Sequence, residues 1–323
     1  MKTKVLFYDE SITYLDCYKF VKEKIDEIKT NVIKYKKNLK NETENDTYLI
    51  MEKIKNCITS KEFNYQSKIK IQHQFPRMER ILLKKIENRE PLDFYLDLGG
   101  GYHANIGYEQ IDKNNNALFS ELVTLLQISK FVCKISDFYS FGVRMNIILD
   151  NLVAYYVNNI ELKRTELYCK QLRELIKNLE IENIVNIFLE SEKPKIQKKL
   201  CHLKWESLNE ITQEQYENIL RFQESDISFS QAKEKYNKYI VYVSASEQEI
   251  NSIIGEQIRF VQRSDNNELT FRTFPGGASR IQCGQIGLIY NSEKKKIQME
   301  LFTQNKIKKM TKNHFSIFEM EII

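Results

Sequence analysis

From Tyr14 onward the chain places apolar residues at three- and four-residue intervals: Tyr14, Tyr18, Val21, Ile25, Ile28 and Val32. That period gathers them on one face of a helix, so residues 11–62 read as helical. The polar run "KKNLKNETENDT", Lys36 to Thr47, divides this region into two helices joined by an exposed loop. Another helix is expected over Arg77 to Glu90, with Pro76 at its start and Pro91 after its end.

The pattern then shifts. "LDFYLDL", from Leu92, reads as a strand and runs directly into Gly99, Gly100 and Gly101. An amphipathic helix is expected from about Ala117 to Tyr139. A second strand, "VRMNIILDN", covers Val143 to Asn151, a helix follows from Glu161, and "ENIVNIFLES" from Glu182 supplies a third strand. Strands alternating with helices in this order indicate an α/β fold with a parallel, Rossmann-like sheet. Beyond Lys193 the chain is polar and helical to about Tyr239, and "KYIVYVSAS", Lys238 to Ser246, reads as a strand. From about residue 250 the short runs "QIRFVQRS", "ELTFRTF", "CGQIGLIYN" and "KIQMELF" suggest an antiparallel β or α+β lobe. The expected division is a helical N-terminal region (1–65), an α/β core (66–192), and a helical connection leading to a β-rich C-terminal lobe (193–323).

With 42% hydrophobic residues, 18 Tyr and 18 Phe, the 323-residue chain is far too apolar to be disordered. Its 49 basic and 44 acidic residues leave a net charge of only +5. The lysines are interleaved with acids, as in "KFVKEKIDEIK", which makes solvated helix faces of them and argues against a nucleic-acid partner. Six cysteines occur singly, with no CxxC pair, and indicate no disulfide framework. No apolar run suits a secretory signal or a membrane span. The expectation is a soluble, cytoplasmic protein, and the heavy use of Lys, Asn and Ile suggests a bacterial source.

The glycine run is the first candidate for chemistry. Only ten glycines serve the chain, and three stand together behind Asp97. Without Cβ atoms they permit a ligand to approach the backbone. A dinucleotide site would place an acidic residue about 20 residues further on. The next acid ending a strand, Asp150, lies 53 residues beyond Asp97, and no GxGxxG is present. A plain structural turn is the simpler reading of the glycines. Their place beyond a strand's carboxyl end, where α/β proteins bind ligands, favours a pocket wall formed with Tyr102, His103, Asp150 and Asn151. Arg259 and Arg263, four apart in a β-type run, share a strand face and suit a phosphate or carboxylate. No HxH or HExxH spacing points to zinc, and no GxSxG to a serine nucleophile.

The order of these features resembles the isocyanide (isonitrile) synthase family, which includes the pyoverdine/dityrosine biosynthesis enzymes. The resemblance covers residues 65–180 and 255–275. It rests on Glu121 in a helix, Tyr139 and Gly142 in the turn "YSFG", Asp150 at the strand end, and Arg259 in "QIRFVQRSDNNELTFRTFP". It implies an enzyme that condenses the amino group of an amino acid with a ketose phosphate such as ribulose 5-phosphate. The nitrogen would emerge as an isocyanide after fragmentation, with no metal or other cofactor. The resemblance matches Asp150, Glu121 and Arg259 to family positions; the pocket residues add His103 to Asp150 and Glu121 as catalytic candidates, and offer Arg259 with Arg263 or Arg144 for the phosphate. Two alternatives stay open: an S-adenosylmethionine-dependent methyltransferase using the glycine run, and a non-catalytic module that binds a ligand or partner.

Overall fold

The structure is a computed structural model and describes residues 2–9, 11–41, 46–98, 119–206, 209–220, 227–261, 268–273, 284–303 and 315–321. It opens with a strand, β1 (Lys2–Asp9), in the region expected to be helical. Next come α1 (Tyr14–Asn38), α2 (Thr47–Ile58), the short α3 (Lys68–Ile71) and α4 (Phe75–Glu87). Local chemistry fixes the helix starts. Thr13 and Asp16 bond each other's backbone amides ahead of α1, and Asp46 accepts from Leu49 N at the start of α2. The core then runs β2 (Leu92–Asp97), α5 (Phe119–Ser136), β3 (Val143–Leu149), α6 (Asn151–Asn158), α7 (Leu162–Asn178) and β4 (Val185–Leu189). Three helices follow, α8 (Pro194–Cys201), α9 (Gln213–Leu220) and α10 (Phe229–Ile254). The remaining strands are β5 (Ile258–Val261), β6 (Gly284–Asn291), β7 (Lys296–Thr303) and β8 (Phe315–Glu321).

The central sheet is parallel, in the order β4-β3-β2-β5, so the expected α/β fold is the one observed. Along β2, Leu92, Phe94 and Leu96 are buried on the side of α5 and α7, and Asp93, Tyr95 and Asp97 point to the other side. On that other side Ile148 and Phe188 pack with Leu152, Val153, Tyr242, Ala245 and Ile250, so α6, α8 and α10 form the third layer. The chain moves outward from β2 through β3 to β4, then returns across the sheet to lay β5 on the free side of β2. The order therefore reverses between β2 and β5, the position at which open α/β sheets bind ligands.

Two expectations are corrected. Residues Lys238 to Ser246 are helical, inside α10. Their β-branched residues suit a strand, but the buried Asn237, Tyr242, Ala245, Ser246 and Ile250 recur at helical intervals, and Ser228 with Gln231 forms a capping box at the helix start. The run "QIRFVQRS" does not belong to an antiparallel lobe, because Ile258–Val261 is the fourth parallel strand of the core. "ELTFRTF" adds only an isolated bridge, Thr270 to Val261. The later runs do form a second sheet, in the order β7-β6-β1-β8. In it β6 and β7 are antiparallel, and β1 sits parallel to β6 and antiparallel to β8. It packs on α5, with Ile286 and Leu288 in the main core. No described helix is long and apolar enough to cross a membrane.

Phe131 of α5 stands where these layers meet. Its ring lies 5.2 Å from Phe63, 5.2 Å from Phe94 of β2, 5.7 Å from Phe260 of β5 and 5.5 Å from Phe271. All four contacts are edge-to-face, at interplanar angles of 72°, 74°, 88° and 85°, an arrangement that adds to plain burial. Phe131→Ala should cost about 3–5 kcal/mol, the range for a buried aromatic truncated to Ala. Ile33→Ala, on the exposed side of α1 (69% exposed), should change stability by less than about 0.5 kcal/mol. Urea denaturation of both variants checks the contrast, and equal losses would refute it.

Candidate functional site

The carboxyl ends of the four parallel strands carry a row of charged residues. Asp97 closes β2, Asp150 follows β3 and Glu190 follows β4. Register sets them side by side, since Asp97 pairs with Ile148 and Leu149 with Leu189. Arg259 of β5 completes the row. Its Nε donates to Asp97 Oδ1 at 2.8 Å and lies 2.7 Å from Oδ2 in an ion pair, and its Nη2 lies 3.8 Å from a Glu247 oxygen on α10. A cavity of about 210 Å³ opens here at the β2/β5 reversal. Its walls include Asp97, Arg259, Glu247, Asn251, Arg77 and Glu268.

Burial and crowding shape the titration of this row. Burial pushes the Asp97 carboxyl up to about 6; Arg259 opposes that, and the charges of Glu247 and Asp150 add to it. Burial works against the Arg259 charge, but Asp97 and Glu247 more than offset it and hold the guanidinium above its ordinary value. Glu190 is the most perturbed. It is 1% exposed, and burial, followed by the charge of Asp150, pushes it up to about 8. Its Oε2 accepts from the amides of Leu152 (3.0 Å) and Val153 (3.2 Å), and its Oε1 from the Ser246 hydroxyl, which together pull the other way. The row therefore holds carboxyls able to give or take a proton close to neutral pH, which is what general acid–base chemistry requires.

The residues singled out in the sequence fall into three groups. Asp150 and Arg259 lie in the row. Gly99, Gly100, Gly101, Tyr102, His103 and Arg263 lie outside the described residues. The rest are placed elsewhere. Arg144 stands at the amino end of β3, in a two-point ion pair with Asp93 at 2.9 and 3.1 Å, roughly 20 Å along the strand from Asp150. Asn151 is fully buried, and its amide joins the ends of β3 and β4 through Ser191 Oγ (2.8 Å) and Ser191 N (3.1 Å). Glu121 lies in the first turn of α5 on the opposite layer, buried, and accepts from the Tyr168 hydroxyl at 3.0 Å. The "YSFG" turn supports the start of β2. The Tyr139 hydroxyl donates to Glu90 O at 2.6 Å, and Gly142, at φ +102°, adopts a backbone favourable only to glycine while its carbonyl accepts from Leu92 N.

Sequence reasoning missed Glu190, Ser246 and Glu247. Glu190 carried a legible signal, an acid directly behind an apolar strand, as with Asp150. Ser246 was hidden because its segment, Lys238 to Ser246, read as a strand, and Glu247 follows directly after it. A second hollow of about 390 Å³ lies between α7 and the end of β4. There Arg173 and Glu192 pair with each other at 2.6 Å. Among the described residues no group of three or more His, Cys, Asp or Glu is arranged to hold a metal ion.

The fold is similar to that in the crystal structure of the PvcA protein from Pseudomonas aeruginosa, with a TM-score of 0.57 at 15% sequence identity. The likeness covers 81% of this chain and 94% of that one. At this identity it is a likeness of fold. No protein-family model matches the chain. No curated protein sequence matches it either.

The state of Glu190 has a consequence for stability. Its ordinary value is 4.5 and its folded value about 8, so between those limits folding requires it to hold a proton that the unfolded chain releases. Its contribution is therefore fully present below about pH 4.5 and lost as pH rises through 8. Glu190→Gln, which keeps an acceptor for the two amides, lacks this loss. Its melting temperature should gain steadily on the wild type between pH 5 and about 8.5, as read by thermal denaturation. A difference that does not change with pH would overturn the assignment.

Proposed function

We propose that this protein is an isocyanide-synthase-like enzyme acting on an amino acid and a ketose phosphate such as ribulose 5-phosphate. The observation that carries the proposal is the row of Asp97, Asp150 and Glu190 on adjacent strand ends, beside Arg259 at the sheet's reversal point. The sequence resemblance supplies the reaction, and the fold shared with PvcA is compatible with it.

Condensing an amine with a carbonyl needs a proton removed from the nitrogen and another delivered to the departing oxygen. Asp150 is assigned that exchange, within the electrostatic reach of Asp97 and Glu190. Arg259 is already bound to Asp97, so its task in this reading is to order the carboxylates. The phosphate is assigned to Arg263, beyond β5, together with the backbone of the glycine run.

One observation favours a second reading, an S-adenosylmethionine-dependent methyltransferase. β2, which precedes the glycine run in sequence, and β3 are neighbours, so Asp97 and Asp150 lie at adjacent strand ends despite the 53 residues between them. An acid in that position suits a cofactor ribose.

Incubation with mixed amino acids and ribulose 5-phosphate, followed by mass spectrometry, should reveal an isocyanide product. Asp150→Asn should lower its formation by about 10²–10⁴-fold, the usual worth of a positioned proton-transfer group, with an unchanged melting temperature. Thermal stabilisation by S-adenosylmethionine, with none by ribulose 5-phosphate, would replace the first reading with the second.

A further inference from the structure

Asp150 is the N-cap residue of α6, yet its side chain makes no capping bond to the helix. An Asp in that position ordinarily caps with its own carboxylate. Here the capping oxygen comes from the end of the next strand. Glu190 Oε2 accepts from Leu152 N at 3.0 Å and Val153 N at 3.2 Å. The Ser246 hydroxyl of α10 holds the other oxygen.

The helix held in this way is short. α6 has eight residues and ends at Asn159, whose φ of 55° places it in the left-handed region. A helix of that length has little stability of its own, so its first turn depends on tertiary contacts. Asn151 provides one more, its side chain bonded to Ser191, the residue after Glu190. The segment after β4 thus fixes residues 151–153, and with them the backbone that presents Asp150.

We propose that Glu190 is the positioning residue for Asp150: its carboxyl group, anchored by Ser246, grips the first-turn amides of α6 and sets the place of the acid–base group. The inference rests on the reading of Asp150 given above. Burial keeps a proton on Glu190 to about pH 8, so it grips the amides as a neutral acceptor, a part that Gln can also play. The amides it grips, those of Leu152 and Val153, lie two and three residues after Asp150, so what Glu190 fixes is the backbone that carries Asp150.

The test compares Glu190→Ala and Glu190→Gln in two measurements. Hydrogen exchange at the amides of Leu152 and Val153 should accelerate by tenfold or more in Glu190→Ala and stay near wild type in Glu190→Gln. In product formation from an amino acid and ribulose 5-phosphate, Glu190→Ala should lose about 100-fold in kcat with KM unchanged, the scale of a misplaced catalytic group. Glu190→Gln should recover most of that loss, a rescue that a general loss of stability would not show as a kcat change at constant KM. If Glu190→Ala does not fold, Glu190→Asp, one methylene shorter, takes its place with the same expectations. Wild-type exchange and wild-type kcat in the truncated variant overturn the proposal, and so does a Gln variant as impaired as the Ala variant. A wild-type protein that forms no product overturns the functional reading instead, and amide exchange then decides whether Glu190 holds α6.

Discussion

The candidate site depends on β5 lying beside β2, and a shared aromatic cluster keeps it there. Parallel neighbours need a long connection, and β5 returns only after the whole of α8, α9 and α10. Four residues of pairing are little to hold such a strand. The missing stability comes from below, where the Phe260 side chain stacks into the rings of Phe94, Phe131 and Phe271. Strand alternation then puts Arg259 on the other face, in reach of Asp97. An apolar contact on one side of the sheet thus fixes a charged contact on the other.

That charged contact changes what Arg259 can do. A guanidinium with free donors is a natural phosphate clamp. This one spends its Nε on Asp97 and faces Glu247, with Glu268 also within electrostatic reach. Around it the carboxylates outnumber the described cations of the cavity, Arg259 and Arg77. An incoming phosphate would have to compete with fixed acids at distances below 4 Å, where the repulsion is strongest. Arg259 is better understood as the counter-ion that lets several acids share one crevice. The raised values of Asp97 and Glu190 come first from burial, to which the neighbouring acids add.

The α/β core was legible in the sequence because its strands are short apolar runs closed by an acid or glycine, and its helices carry clear periodicity. Asp150 and Arg259 were legible for the same reason, each ending or occupying such a run. What escaped was long-range. Nothing local tells "QIRFV" that its partner is β2, or tells Lys2–Asp9 that it will sit between β6 and β8. Arg144 misled because its charge was visible and its partner was not. Asp93 lies 51 residues earlier and becomes its neighbour only through strand register.

The misreading of Lys238 to Ser246 is the most instructive of these, because it hid how α10 reaches the row. As a strand, Ser246 and Glu247 would point in opposite directions, one of them away from the sheet ends. On a helix, consecutive residues diverge by about 100°, so both can lean over one surface on either side of a shared line. α10 uses that geometry to touch the row at both ends, Ser246 at Glu190 and Glu247 at Arg259. The two contacts lie on opposite sides of β2 and β3, which ties the outer strand ends to a single rigid element. A shift of α10 would therefore move the two ends of the row together. The helix that looked most like a strand is the element that makes four separate strand ends behave as one site.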